Sequence, residues 1–127
     1  MSHTPVHAAN LPKPVGPYSP GMGFERLVFV SGQGATDPAT GTMADDVEQQ
    51  TEQCLRNLQT ILEAAGSGLQ HVLRCGVFLT DMGEFKKMNA AYARRFGDHR
   101  PARTTVQVAA LPEGGLRVEI DAIAYRP

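Results

Sequence analysis

The rhythm of apolar and polar positions changes along the chain, and each change predicts an element. Leu27 to Val30 is an unbroken apolar run rich in β-branched and aromatic residues, the pattern of a buried strand. Ser31-Gly32-Gln33-Gly34 ends it, and Asp37-Pro38-Ala39-Thr40-Gly41 supplies turn chemistry. From Asp45 to Ala65 the period becomes helical: Val47, Thr51, Cys54, Leu55, Leu58, Ile61, Leu62 and Ala65 fall on one stripe. Asp45, with Glu48 three residues on, can cap the start, and Gly66 suits the stop. Val72 to Leu79 is strand-like again. Asp81 and Glu84 repeat the capping pattern and open a second helix, Met82 to Phe96, whose stripe is Phe85, Met88, Tyr92 and Phe96.

The last third reads as two strands, Ala102 to Ala109 and Leu116 to Tyr125. Leu111-Pro112-Glu113-Gly114-Gly115 lies between them, which predicts an antiparallel hairpin with a longer loop. Pro5, Pro12, Pro14, Pro17 and Pro20 give the first twenty residues an extended path or turns, with a short strand near Tyr18 to Phe24. No linker or repeat divides residues 1–127, so one domain is expected. The element order predicts an α/β or α+β sandwich, two helices on one face of a mixed sheet.

That layering leaves a problem. The central strands carry apolar residues on both faces: Leu27 and Phe29 against Val28 and Val30, then Leu73, Cys75, Val77 and Leu79 against Val72 and Phe78. At about 25 cal/mol per Å² of apolar surface, a wet second face forgoes several kcal/mol and invites aggregation. Packing of that face against other copies of the chain is the expected answer.

Composition narrows the function. With 127 residues and a formal net charge of -1, the chain lacks the broad basic surface that a phosphate backbone requires, so nucleic acid is not an expected partner. No apolar run approaches the roughly 20 residues of a membrane span. Residues 1–13 lack an apolar signal core, so a cytoplasmic location is expected. Cys54 and Cys75 fit no CxxC or zinc pattern and read as buried free thiols. His3 and His7 have ligand-like spacing but fall in a segment expected to be loose, so no metal is expected there.

Strand parity singles out two residues. Arg103, Thr105 and Gln107 share one face of their strand, and Glu119 shares a largely polar face with Arg117, Asp121 and Tyr125 of the other. If the two strands form a hairpin with apolar faces aligned, Glu119 lies near Thr105, with Arg103 a diagonal neighbour on the same face. Such a pair reads either as a surface salt bridge or as two working groups. In the second case Arg103 offers a planar fork to a carboxylate, and Glu119 handles a water or a leaving amine. Asn89 edges onto the apolar side of the second helix, as a satisfied amide or a pocket residue. Tyr18 is a packing lid or a pocket wall, and Ser31 satisfies local backbone or a ligand.

At this point the sequence resembles a known family. Gly16-Pro17-Tyr18-Ser19-Pro20-Gly21, Val30-Ser31-Gly32-Gln33, Arg100-Pro101-Ala102-Arg103-Thr104-Thr105-Val106 and Val118-Glu119-Ile120-Asp121-Ala122-Ile123-Ala124 are similar, in order, to the signatures of the reactive intermediate deaminase A (RidA, or YjgF) family. The resemblance runs from about Pro14 to Tyr125. It implies a chorismate-mutase-like fold, with a six-stranded mixed sheet and two helices on one face. It also implies a homotrimer with sites in the clefts between subunits. The implied activity is cofactor-free hydrolysis of 2-iminobutanoate and 2-iminopropanoate to 2-oxo acids and ammonia. Arg103 matches the arginine that grips the substrate carboxylate and Glu119 the glutamate that holds the attacking water. Tyr18, Ser31, Gly32 and Asn89 match pocket positions. Thr105 stands where many members have a cysteine. The rival readings are a non-catalytic small-ligand binder on the same scaffold, an RNA-acting protein, and a deaminase of a larger catabolic enamine.

Overall fold

The computed structural model describes residues 2–127. Six strands, β1 (His3–Val6), β2 (Gly21–Phe24), β3 (Leu27–Gln33), β4 (Val72–Leu79), β5 (Ala102–Gln107) and β6 (Val118–Tyr125), form one mixed sheet in the order β1-β2-β3-β6-β4-β5. Two helices, α1 (Val47–Ala64) and α2 (Phe85–Phe96), cover one face, as the element order predicts. Among the described residues no helix is long and apolar enough to cross a membrane.

The helices form where the 3.6-residue period places them. α1 buries Val47, Thr51, Cys54, Leu55, Leu58, Ile61 and Leu62 against the sheet. Its cap is Asp46 rather than Asp45: the Asp46 carboxylate accepts from the Glu48 N–H at 3.4 Å. α2 is preceded by a separate 3-10 turn, Met82–Glu84, whose cap Asp81 accepts from the Gly83 N–H at 2.8 Å. β3, β4 and β6 supply the sheet side of the core through Val28, Val30, Val77, Leu79, Val118, Ile120 and Ala124.

Two expectations fail. The first twenty residues are not merely loose: His3–Val6 is a strand, paired antiparallel to β2. Pro5 is tolerated because β1 lies at the sheet edge, where a missing N–H leaves no central ladder bond unmade. The second strand is correspondingly shorter than expected, Gly21–Phe24, with Tyr18 outside it.

More consequentially, β5 and β6 do not form a hairpin. β4 lies between them, antiparallel to β6 and parallel to β5. The reason is visible in burial. β6 alternates buried and half-buried along its whole length, as a strand flanked on both sides does, whereas β5 has no fully buried residue and suits an edge. The parallel β4–β5 pair uses α2 as its crossover.

The face turned away from the helices keeps exposed apolar side chains, among them Leu27 and Phe29 of β3 and Val106 of β5. Cys54 and Cys75 are free and buried, as expected. Burial pushes the Cys75 thiol up to about 11 and that of Cys54 higher still. A raised thiol pKa leaves almost no thiolate at pH 8, and only unfolding restores the ordinary value near 8.5. A thiol reagent at pH 8 should therefore modify neither cysteine in the native protein and both after denaturation.

Two buried amides on α1 tie down the loops that matter for function. Gln50 donates to the carbonyls of Ala44 (2.7 Å) and Gly115 (2.9 Å) and accepts from the Arg117 N–H (2.7 Å). Asn57 donates to the carbonyls of Gly34 (3.2 Å) and Thr36 (3.1 Å). Gln50→Leu keeps the volume and strands three backbone groups, so a loss of about 2–4 kcal/mol is expected, read as a lower urea midpoint at unchanged slope.

Candidate functional site

The residues singled out by sequence fall into two half-sites. The first surrounds Glu119. Odd-numbered positions of β6 point to the open face, and Glu119 stands there beside Phe78 of β4. On its other flank β3 is irregular: the register shifts between Val30 and Gln33. This bulge turns Gly32 toward the glutamate. A Cβ on Gly32 would sit 2.6 Å from Glu119 Oε2, so the carboxylate occupies the space a side chain would need.

Around it the cleft is lined by Pro14, Tyr18, Gly32, Thr36, Glu113 and Glu119, among others. Ser31 ties the N-terminal wall to the strand. Its hydroxyl donates to the Ser19 carbonyl at 2.7 Å, and its N–H donates to that of Pro20 at 2.9 Å. The Tyr18 phenol accepts from the Val15 N–H at 3.3 Å, and the residue is about half exposed on the wall of this cleft.

Glu119 enters no ion pair among the described residues. Half-burial first, then the negative charges of Asp121 and Glu113, push its carboxyl above the ordinary glutamate value. Asp121 is itself engaged, accepting from the Gly76 N–H at 2.8 Å. A carboxylate raised toward neutrality, beside open backbone, is equipped to take and return a proton.

The second half-site surrounds Arg103. β5 pairs with β4 so that Arg103 stands beside Cys75 and Thr105 beside Val77, all on the helix side of the sheet. Arg103 Nη2 donates to Asn89 Oδ1 at 2.8 Å. Its guanidinium carbon lies 4.7 Å from the Tyr92 ring centroid and 5.7 Å from that of Phe85. Aromatic faces and an amide hold the fork flat, and no carboxylate of the chain neutralises it among the described residues. Asn89 is a half-buried amide whose oxygen is satisfied by the guanidinium of Arg103. Tyr92 is buried in the core, as its place on the α2 stripe predicts, and it also lies one helical turn from Asn89 and floors the same cleft.

Sequence parity put Arg103 and Glu119 on one face; the structure separates them. Two strand spacings and three residues of register part their backbones by roughly 14 Å. Their side chains also leave opposite faces of the sheet. Within a single chain they make neither a salt bridge nor a common pocket for a small molecule. Parity within each strand was right. The strand inserted between them reversed the relative orientation.

These two half-sites can be set beside known proteins. The family model described as Endoribonuclease L-PSP matches residues 8–126. The chain belongs to the RidA/YjgF family. A RutC family protein of Pyrococcus horikoshii is 45% identical over 122 residues, covering 95% of this chain and 96% of that protein. A Salmonella typhimurium protein named 2-iminobutanoate/2-iminopropanoate deaminase is 40% identical and covers 99% of both chains. The crystal structure of E. coli TdcF with bound serine superposes with a TM-score of 0.92 at 35% identity, covering 98% of this chain and 99% of that one. The fold is the chorismate-mutase-like fold of this RidA/YjgF family. Some relatives at about this identity bear a deaminase name and others only that of the RutC family.

Proposed function

We propose that the protein is a hydrolytic deaminase of small 2-imino and enamine acids, 2-iminobutanoate and 2-iminopropanoate among them, acting as a homotrimer. The observation that carries this reading is the split pair: a guanidinium held flat without a carboxylate partner, and a carboxyl raised in pKa without a cation, on opposite faces of one sheet. Each half lacks what the other has. In a head-to-tail cyclic assembly, one chain's Arg103 cleft meets the next chain's Glu119 cleft, and the ring closes at a small number of copies. The exposed apolar residues of the open face, Leu27, Phe29 and Val106, give such an assembly its buried area. A relative that carries serine in its crystal structure supports a 2-amino-acid-sized ligand with a carboxylate.

The chemistry follows from the groups. Arg103 docks the substrate carboxylate in a bidentate pair, kept flat by Asn89 and Tyr92. The imine carbon faces a water held by Glu119. Glu119 takes a proton as the water oxygen bonds to the carbon of the protonated imine, giving a neutral carbinolamine. It returns that proton to nitrogen as the carbon–nitrogen bond breaks, and the departing ammonia carries off the hydroxyl proton, leaving ammonium and the 2-oxo acid. No cofactor is needed. Thr105, two positions from Arg103 on the same face, is a polar wall that shapes which side chains fit.

The test is to generate the two imines in place with a threonine dehydratase and follow their decay. Accelerated decay is expected at catalytic protein concentration. Decay at the buffer rate, with the carboxylate ligand still bound, would leave a binding protein instead. A monomeric mass at micromolar concentration would remove the shared site.

A further inference from the structure

β6 sends two carboxylates out from the open face of the sheet, and the reaction above uses only Glu119. Asp121 stands two residues further along the same strand, so the two Cα atoms are roughly 7 Å apart. Register sets Asp121 opposite Gly76 of β4 and Glu119 opposite Phe78. Gly76 leaves the aspartate room: a Cβ there would fall 2.5 Å from Asp121 Oδ1. The Gly76 N–H donates to that same oxygen at 2.8 Å, which fixes the carboxylate over β4. Glu119 leans the other way, into the space left by Gly32 of β3.

The hydrogen bond to Gly76 does not call for a charge. An asparagine oxygen would accept it equally, and would spare the half-buried side chain the cost of desolvating a carboxylate. Yet the charge stands without an ion pair among the described residues. Arg74, the next residue on the open face of β4, is exposed and lies beyond ion-pair distance. The other groups around Glu119 do not cancel it either. Glu113 reaches in from the loop between β5 and β6, its Oε1 3.6 Å from where a Cβ on Gly34 would stand, and adds to it. Lys13 and Tyr18 come from the N-terminal segment, and the exposed Lys13 ammonium pairs with neither glutamate. Cys54 of α1 lies behind β6 as a neutral thiol, donating to the Val118 carbonyl at 3.4 Å. After burial itself, Asp121 is the larger influence on the Glu119 carboxyl, ahead of Glu113.

We propose that Asp121 is a positioning residue for the reaction, its fixed negative charge keeping Glu119 a base strong enough to take the proton of the attacking water. This rests on the deaminase reading for the reaction and adds a group that acts through Glu119 without touching substrate. The two side chains lie within a Debye length of each other and both are half-buried, so solvent and salt screen their repulsion only in part. An assembly that covers the open face takes more water from between them. The Arg103 that such an assembly brings up is committed to the substrate carboxylate. A carboxylate that resists ionisation draws a proton more strongly from water and has it to return to the leaving nitrogen.

Asp121→Asn keeps the Gly76 hydrogen bond and removes the charge, and two readouts then follow Glu119. The first is carbon NMR of the side-chain carboxyls in the resting protein, with the Glu119 signal assigned by its loss in Glu119→Gln. Its titration midpoint should fall by about half a pH unit or more in Asp121→Asn. The second is the pH profile of kcat/KM for 2-iminobutanoate. Glu119 works ionised, and without its negative neighbour it ionises at lower pH, so the acid limb should move down by the same amount. The plateau should fall, because the base is weaker. The substrate's own titration is common to both proteins and drops out of the difference. Asp121→Glu keeps the charge and should keep the limb near that of the wild type. A limb that Asp121→Asn leaves in place overturns the role in the reaction, whatever happens to stability. An NMR midpoint that stays put overturns the coupling itself. A midpoint that moves in a protein that hydrolyses no imine overturns the deaminase and keeps the coupling between the two carboxylates.

Discussion

Two inactive variants should restore each other. Arg103→Ala removes the carboxylate clamp and Glu119→Gln removes the proton carrier, and each alone should lower imine hydrolysis by at least about a hundredfold. Co-refolded in equal amounts, they should recover about a quarter of wild-type activity, because a site at a chain–chain boundary draws each residue from an independently chosen chain. The basis is the register of the sheet. β4 separates β5 from β6, and the side chains of Arg103 and Glu119 leave opposite faces. Were both residues to serve one site from one chain, every chain in the mixture would stay defective and no activity would return. The measurement is imine decay in the re-formed mixture against the same mass of each variant alone.

The second large effect is expected at a glycine. In Gly32→Ala the new Cβ falls 2.6 Å from Glu119 Oε2 and 2.9 Å from Cδ, inside contact distance. The obstacle is the end of a flexible side chain, so the carboxylate swings aside and the backbone stays. A displacement on the order of 1 Å in a catalytic group costs about a hundredfold in rate. Thermal stability should barely change, since Gly32 lies outside the left-handed region that only glycine favours. Activity close to wild type with Glu119 unmoved would show that the attacking water is held elsewhere.

Periodicity alone identified α1, α2, β3 and β4 to within a few residues, because each buries a regular stripe or run. Arg103 and Glu119 were also legible, as polar positions within strands whose alternation is strict. Strand pairing was not. Pro112, Gly114 and Gly115 read the same whether a chain reverses on itself or crosses to another strand, so local turn chemistry could not tell a hairpin from the long return to the middle of the sheet. One signal was available: the β5 segment has a polar face and few large apolar residues, which marks an edge. The bulge at Ser31 and Gly32 leaves no trace in composition, and it alone decides which of the two faces Glu119. Glu113 went unread because a glutamate beside Pro112 and Gly114 is ordinary loop sequence until the fold lays it over Gly34.

β6 is the last strand in sequence and among the most central in space, clasped between β3 and β4. During synthesis the three N-terminal strands and the β4–β5 pair therefore emerge as two separate fragments with no shared edge. The two parts of the sheet join only when β6 has left the ribosome and slots between them. The strand that closes the sheet is also the one that carries Glu119, so a prematurely terminated product is left both unfolded and without its acid.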